Sequence, residues 1–288
     1  MKQSIAIIGL GLMGTSLAER LLEAGYHVAG YDLRREACNE ARAVGVHVAT
    51  DAQTAVRGHS VVFLCLMTSE DRRELLWGTQ SVAPALEPDT WVLDAATARP
   101  RDIVEDHARL AAQRARLVDV CVAGSSSMVR EGTAVALIGH RREQAAFHEC
   151  VAAFTKAQYY LGDPGKGNAA KLIVNLVIGL HRLVLAEALG LARSAGFDLN
   201  EILEVLRSGP GNSVMIETKG PQMAAGTYEP LVARLAQHAK DVDLILEYAR
   251  EHGATTPLSE LHAGILRELC DAGFAERDNT AVFEAFLT

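Results

Sequence analysis

Ser4-Ile5-Ala6-Ile7-Ile8-Gly9-Leu10-Gly11-Leu12-Met13-Gly14, followed by Leu17, Leu21 and Leu22 and then by His27-Val28-Ala29-Gly30-Tyr31-Asp32, is the stretch that decides the fold. The β-branched run before Gly9 reads as a buried strand, and the leucines after the glycines fall at helical spacing. Gly25 closes that helix and a second strand ends at Asp32, which makes one βαβ unit. A G-x-G-x-x-G hexamer is weak by itself; between a strand and a helix, with an acidic residue ending the next strand, it becomes a dinucleotide-binding pattern. Gly9 permits the tight turn, Gly11 lets the backbone approach a pyrophosphate, and Gly14 lets the helix pack closely. Leu12 and Met13 lie in the first helical turn, whose free N–H groups face the anion. An Asp32 carboxylate accepts from ribose hydroxyls and repels a 2′-phosphate, so NAD is expected over NADP. Arg34 and Arg35, just beyond, partly offset that repulsion.

Working outward, strand and helix patterns alternate. Helices are expected near Glu36–Val44, Glu70–Trp77, Pro100–Gln113 and Arg142–Phe154, with strands at Val46–Val48, Ser60–Leu66, Thr90–Asp94, Arg116–Val120, Ala134–Gly139 and Ala157–Leu161. The uninterrupted apolar run Ser60–Leu66 suits a strand covered on both faces, as in a parallel sheet. The implied class is α/β: an N-terminal Rossmann doubly wound sheet and then an all-α C-terminal domain with a long interdomain helix. After Gly162-Asp163-Pro164-Gly165 only helical spacing remains. Residues 1–164 are therefore expected to bind NAD(P), and 165–288 to form a helical substrate and dimerisation domain. Its helices are expected near Gly167–Ser194, Asn200–Arg207, Val232–His252 and Pro257–Ala272, with Asp198 and Glu201 in a capping-box spacing.

Composition excludes several function classes. A net charge of −8 offers no extended cationic face for nucleic acid. The five cysteines are odd in number and scattered, which reads as reduced thiols in a cytoplasmic protein. The N-terminus lacks the basic and apolar pattern of a secretory signal. Leu172–Ala192 is apolar enough to suggest a membrane span, but Asn175, His181, Arg182 and Glu187 interrupt it, so it reads as a buried helix and no membrane partner is expected. No zinc spacing, P-loop or G-x-S-x-G elbow occurs, and no metal is expected. His181 and His238 read as surface or packing residues.

Together the Gly9–Gly14 hexamer, the run Gly165-Lys166-Gly167-Asn168-Ala169-Ala170-Lys171-Leu172-Ile173-Val174-Asn175, and Lys240-Asp241 on a later helix resemble the β-hydroxyacid dehydrogenase superfamily, which includes 3-hydroxyisobutyrate dehydrogenases and tartronate semialdehyde reductases. The likeness covers almost the whole chain. It implies an oxidoreductase acting on a small β-hydroxy acid or its semialdehyde, with Lys171 as the catalytic acid/base and Asn175 as the residue that orients the substrate. Four residues apart on a helix, these two share one face. For Lys171 to act as a base, burial or a second cation must depress its pKa, and Lys240 is the candidate cation.

The resemblance also implies a nicotinamide and substrate contact at Thr97, cofactor contacts at Leu66, Met67 and Lys240, and a substrate loop at Ala123-Gly124-Ser125. That loop departs from the family pattern: Ala123 stands in place of a serine and Ser125 in place of a glycine. Met67 replaces a common proline. Leu33 occupies the place of an arginine found in NADP-preferring members, in agreement with the Asp32 argument. A homodimer or homotetramer through the helical domain is implied. Two other readings are an imine reductase, which usually has Asp or Tyr where Lys171 stands, and a non-catalytic NAD(P)-binding scaffold.

Overall fold

Apolar runs too short for helices and bounded by glycine turns become the strands of one eight-stranded sheet. The structure is a computed structural model and describes residues 4–142 and 146–287. The expected helix from Arg142 falls partly on residues 143–145, outside the described residues; its remainder is seen at His148–Phe154.

In chain order the strands are β1 (Ser4–Ile8), β2 (His27–Tyr31), β3 (His47–Val48), β4 (Val61–Leu64), β5 (Trp91–Asp94), β6 (Arg116–Ala123), β7 (Ala134–Ile138) and β8 (Thr155–Tyr160). Their order across the sheet is β3-β2-β1-β4-β5-β6-β7-β8, whose first six follow the doubly wound arrangement with its crevice between β1 and β4. The helices of this part are α1 (Leu12–Glu23), α2 (Arg35–Ala43), α3 (Ala52–Val56), α4 (Ser69–Trp77), α5 (Pro100–Ala111), α6 (Ser126–Arg130) and α7 (His148–Phe154). One apolar cluster, with Ile5, Ile7, Leu17, Leu21, Phe63 and Phe154, covers one face of the sheet. A second, with Ala6, Ile8, Val62, Leu64, Leu76 and Ile103, covers the other. Alternate residues of β1 and β4 thus face opposite cores, which is why both strands are apolar throughout.

The sheet is mixed. β7 runs antiparallel to β6, and β8 parallel to β7. The connection from Gly124 to Thr133 is shorter than the roughly dozen residues a parallel crossover needs, so the chain turns back on itself.

Contacts divide the chain into two units, Met1–Lys171 and Leu172–Thr288. The second is helical: α8 (Lys166–Ser194) continues into it from the first, followed by α9 (Leu199–Ser208), α10 (Val214–Ala225), α11 (Leu235–Glu251), α12 (Pro257–Leu269) and a 3-10 segment, Asn279–Phe286. Its core gathers Leu183, Leu185, Ala186, Leu189, Leu203, Met223, Leu266 and Phe283. Asp198 caps α9 by accepting from the N–H groups of Asn200 and Glu201. The long helix is only partly buried: Ile173, Val177, Val184 and Leu191 are exposed. It is long and apolar enough to cross a membrane by length and composition, yet its inward face belongs to the core of the helical unit.

Candidate functional site

The turn after β1 is built for close approach. Gly9 has φ +93°, and a side chain there would meet the Cys65 carbonyl oxygen at 2.4 Å. A Cβ on Gly14 would lie 1.9 Å from the Gly9 carbonyl oxygen, so the third glycine packs α1 directly onto the turn. Gly11 is the N-cap of α1 and has no capping side chain, which leaves the helix N-terminus open to a ligand. Leu12, at the first helical position, is exposed, and Met13 is half-buried.

Asp32 follows β2 with its side chain 9% exposed. It accepts from the Leu10 N–H at 2.8 Å and the Arg34 N–H at 2.8 Å, and pairs with the Arg34 guanidinium at 3.2 Å. Burial pushes this carboxyl up, but the Arg34 hydrogen bonds and the Leu10 amide outweigh it and hold Asp32 below the usual carboxylate range. Arg34 also lies 3.3 Å from the point a Gly11 side chain would occupy. The Asp32 carboxylate is therefore already partnered by an exposed cation on the same loop. Leu66 and the exposed Met67 follow β4, and Thr97, half-buried, follows β5.

β6 leads to the expected substrate loop. Ala123 is its last residue, Gly124 has φ +157°, and Ser125 caps the short α6 by accepting from the Met128 N–H at 3.3 Å. The Ser125 hydroxyl also meets that of Ser127 at 2.6 Å. Ser125 thus has a local capping role.

Sequence reasoning missed what Asp119 does. This buried carboxylate in the middle of β6 accepts from the Gly165 N–H at 2.9 Å and the Asn168 N–H at 2.7 Å. Burial raises its pKa and these two amides work against that rise. Asn168, itself buried, accepts from the Ala98 N–H at 2.7 Å. A side chain at Gly167 would strike the Leu137 carbonyl oxygen at 2.6 Å and Asp119 at 2.9 Å. The Gly-Lys-Gly-Asn run thus fits the start of α8 against the ends of β6 and β7 and ties it to the loop carrying Thr97. Only the pairing of a mid-strand Asp with a later Gly-x-Gly-Asn hinted at this. Lys171, one turn further on, is half-buried, and its charge acts on the buried Cys121 thiol of β6, opposing the large upward push of burial there.

In the helical unit, Asn175 on α8 donates to the Asp241 carboxylate of α11 at 3.0 Å. Lys240 pairs with the same carboxylate at 3.2 Å. These three residues, selected by resemblance, come together. His238 is a core residue, whereas His181 is exposed. All five cysteines are free thiols, and no group of His, Cys, Asp or Glu among the described residues is arranged to hold a metal.

Comparison with known proteins gives this arrangement its context. Residues 4–162 match the NAD-binding domain of 6-phosphogluconate dehydrogenase, and residues 165–286 match the NAD-binding domain of NADP-dependent 3-hydroxyisobutyrate dehydrogenase. The chain is 32% identical to L-threonate dehydrogenase of Cupriavidus necator, over 99% of this chain and 97% of that protein. It is 29% identical to NAD-dependent L-serine dehydrogenase of Pseudomonas aeruginosa, over 99% and 98%. The crystal structure of 3-hydroxyisobutyrate dehydrogenase from Salmonella typhimurium superposes with a TM-score of 0.91 at 26% identity, covering 98% of this chain and 99% of that one. With the glycine turn shaped for a dinucleotide and both halves matched, the chain belongs to the β-hydroxyacid dehydrogenase family, which includes the 3-hydroxyisobutyrate dehydrogenases, and is an NAD(P)-dependent dehydrogenase acting on hydroxy acids.

Proposed function

We propose that the chain interconverts a small β-hydroxy acid and its semialdehyde, with Lys171 as general acid/base and Asn175 orienting the substrate. The observation that carries this reading is the anchoring of α8: two backbone amides bonded to Asp119 fix the helix entry one turn before Lys171. Rigid placement of a reacting group is what lets it exchange a proton at low cost. Bound NAD(P) supplies the hydride acceptor in oxidation and the donor in reduction. In oxidation the neutral Lys171 amine takes the substrate hydroxyl proton; in reduction its ammonium returns that proton to the same oxygen.

Gly9, Gly11, Leu12, Met13 and Gly14 cradle the cofactor, with Asp32 at the ribose, and Leu66, Met67, Thr97 and Lys240 complete its site. Ala123, Gly124, Ser125 and Thr97 bind substrate beside Lys171 and Asn175. Since Ala123 lacks a hydroxyl and the Ser125 hydroxyl caps α6, backbone N–H groups carry more of the carboxylate recognition here than side chains do. NAD is preferred over NADP, because Asp32 remains acidic next to Arg34. The enzyme is cytoplasmic and assembles as a homo-oligomer through the apolar outer face of α8.

The test is an absorbance screen of hydroxy acids and semialdehydes at the nicotinamide band with both cofactors, repeated on Lys171→Ala. Turnover by the wild type and its loss in the variant, with cofactor binding retained, is expected. Equal turnover by both proteins removes the mechanism.

A further inference from the structure

The Asn175–Asp241 hydrogen bond fixes more than a distance. A carboxylate ion only accepts, so the partner atom on Asn175 must be its amide nitrogen, whichever way the electron-rich ends of the amide are otherwise assigned. That leaves Oδ1 and one N–H of Asn175 for a ligand. A protonated Asp241 removes that constraint: its O–H can donate to Oδ1 and turn the NH₂ outward. Ionised Asp241 therefore fixes which polar atom Asn175 presents, and neutral Asp241 does not.

Several charged or titratable groups of this unit bear on Asp241 or on Arg182. Lys240 pairs with it from the same helix. From α8, seven residues beyond Asn175, comes Arg182, only 4% exposed, whose Nε and Nη1 are buried with no hydrogen-bond partner among the described residues. Burial depresses the Arg182 guanidinium to about 10, and the fields of Asp278 and Asp241 oppose that depression, so the cation acts on both carboxylates through space. Asp278 is otherwise held by Lys219 at 3.0 Å and by the N–H groups of Val232, Ala233 and Thr280. His238 of α11 and His262 of α12 stack with ring centres 5.1 Å apart; burial lowers both, and they contribute no charge at neutral pH. Asp243 of α11 is exposed. Lys240 and Arg182 both bring positive charge to bear on Asp241, and of the two Arg182 is the one withdrawn from solvent, where its field is less screened.

We propose that Asp241 is a positioning residue that holds the Asn175 amide with its carbonyl oxygen offered to a hydroxyl donor on the substrate, and that the buried Arg182 keeps Asp241 in the ionised form this requires. The inference rests on the reading of Asn175 as the substrate-orienting residue. It commits that site to a ligand bearing a hydroxyl donor, in preference to one of the same shape with only an acceptor, such as its methyl ether.

Two measurements on the full chain test it. The first needs no substrate: protein labelled with ¹⁵N at asparagine, with the Asn175 NH₂ pair assigned by its disappearance in Asn175→Ala, is titrated with acid. The Asn175 pair should shift with the protonation of Asp241, and the midpoint should rise by about one pH unit in Arg182→Met and return in Arg182→Lys. Asp241→Asn should remove the titration. The second is kinetic, on the best hydroxy acid of the screen. Asp241→Asn should lower kcat/KM for the hydroxy acid by about 10- to 100-fold. The acid limb of the pH profile should move upward in Arg182→Met and recover in Arg182→Lys.

A merely structural role would lower melting temperature without moving either midpoint. An Asn175 signal indifferent to Asp241→Asn, or an acid limb unmoved in Arg182→Met, overturns the proposal. If Lys171→Ala turns over normally, the parent reading falls instead, and the amide titration still reports on Asp241 by itself.

Discussion

The carboxylate of Asp119, in the interior of β6, receives the backbone N–H of Asn168 at 2.7 Å, so a sheet residue terminates the first turn of the helix that carries Lys171. The same carboxylate takes the Gly165 amide, and the Asn168 side chain passes the constraint on to Ala98, next to Thr97. One buried acid thus fixes the entry of α8 and, through Asn168, the loop after β5.

Asp119→Asn should separate fold from catalysis. The replacement keeps one accepting oxygen and turns an NH₂ group toward the other backbone N–H, so one buried donor loses its partner. The expected loss is about 1–3 kcal/mol of stability. Turnover should fall by more than NAD(P) affinity does, because these three hydrogen bonds hold the α8 entry and the loop after β5 and do not involve the Gly9–Gly14 turn. Melting temperature, cofactor titration by fluorescence and kcat measured together check it. A fall in cofactor affinity matching the fall in kcat would refute this division of roles.

Cofactor choice turns on the pair Asp32 and Arg34. With Asp32→Asn the carboxylate that repels a 2′-phosphate is gone and Arg34 loses its partner, leaving its guanidinium for the phosphate. The NADP-to-NAD ratio of kcat/KM should rise by roughly 10- to 100-fold, the worth of one charge-assisted hydrogen bond. Arg34→Ala should move the ratio the other way. Initial rates with both cofactors decide the matter, and an unchanged ratio in both variants would remove Asp32 from the ribose site.

The helical unit should be acid-labile. Burial lowers the imidazole of His262 to about 4 and that of His238 well below its ordinary value, with the Arg182 charge adding to both. Between the folded pKa and the unfolded value near 6.5, the unfolded chain binds more protons than the folded one. Stability from these groups is therefore complete above pH 6.5 and is lost as pH falls toward 4 and below. Each group contributes a slope of about 1.4 kcal/mol per pH unit within that window. Melting followed from pH 7.5 down to 4.5 should show the decline, flattened in His262→Gln. A flat profile in the wild type would mean that neither ring is held neutral.

The glycine hexamer and Asp32 were legible because a phosphate-binding turn admits so few alternatives: a side chain at Gly14 has no room, and the spacing to the next strand follows from βαβ geometry. The choice of Lys171, Asn175 and Lys240 rests on resemblance alone. Nothing in their periodicity separates them from solvated helix residues. α10 escaped notice because Pro221 lies inside it and reads as a breaker, while the contact that favours the helix there, Gly220 against Leu203, is tertiary. The reversal at β7 depends on loop length, and the burial of Arg182 on which helices surround it. Neither leaves a local pattern.

The outer face of α8 makes the last prediction. Ile173, Val177, Val184 and Leu191 are 60, 45, 63 and 73% exposed. At 100° per residue they fall within about 40° of one another around the helix, in a stripe roughly 27 Å long. Apolar stripes of that length are not left in water without reason, and the inner face of the same helix already fills the core of its own unit. A second copy of this chain is the occupant expected to satisfy the stripe, since a two-fold contact buries the same patch of both copies against itself. Val184→Glu combined with Leu191→Glu would place four unpaired carboxylates in that apolar contact. Both positions are exposed in the single chain, so its own fold should persist, with unaltered circular dichroism. Light scattering should find the wild type as a dimer or larger and the double variant as a monomer. A wild type that is monomeric at tens of micromolar, or a variant that stays assembled, would show that this face is not the interface.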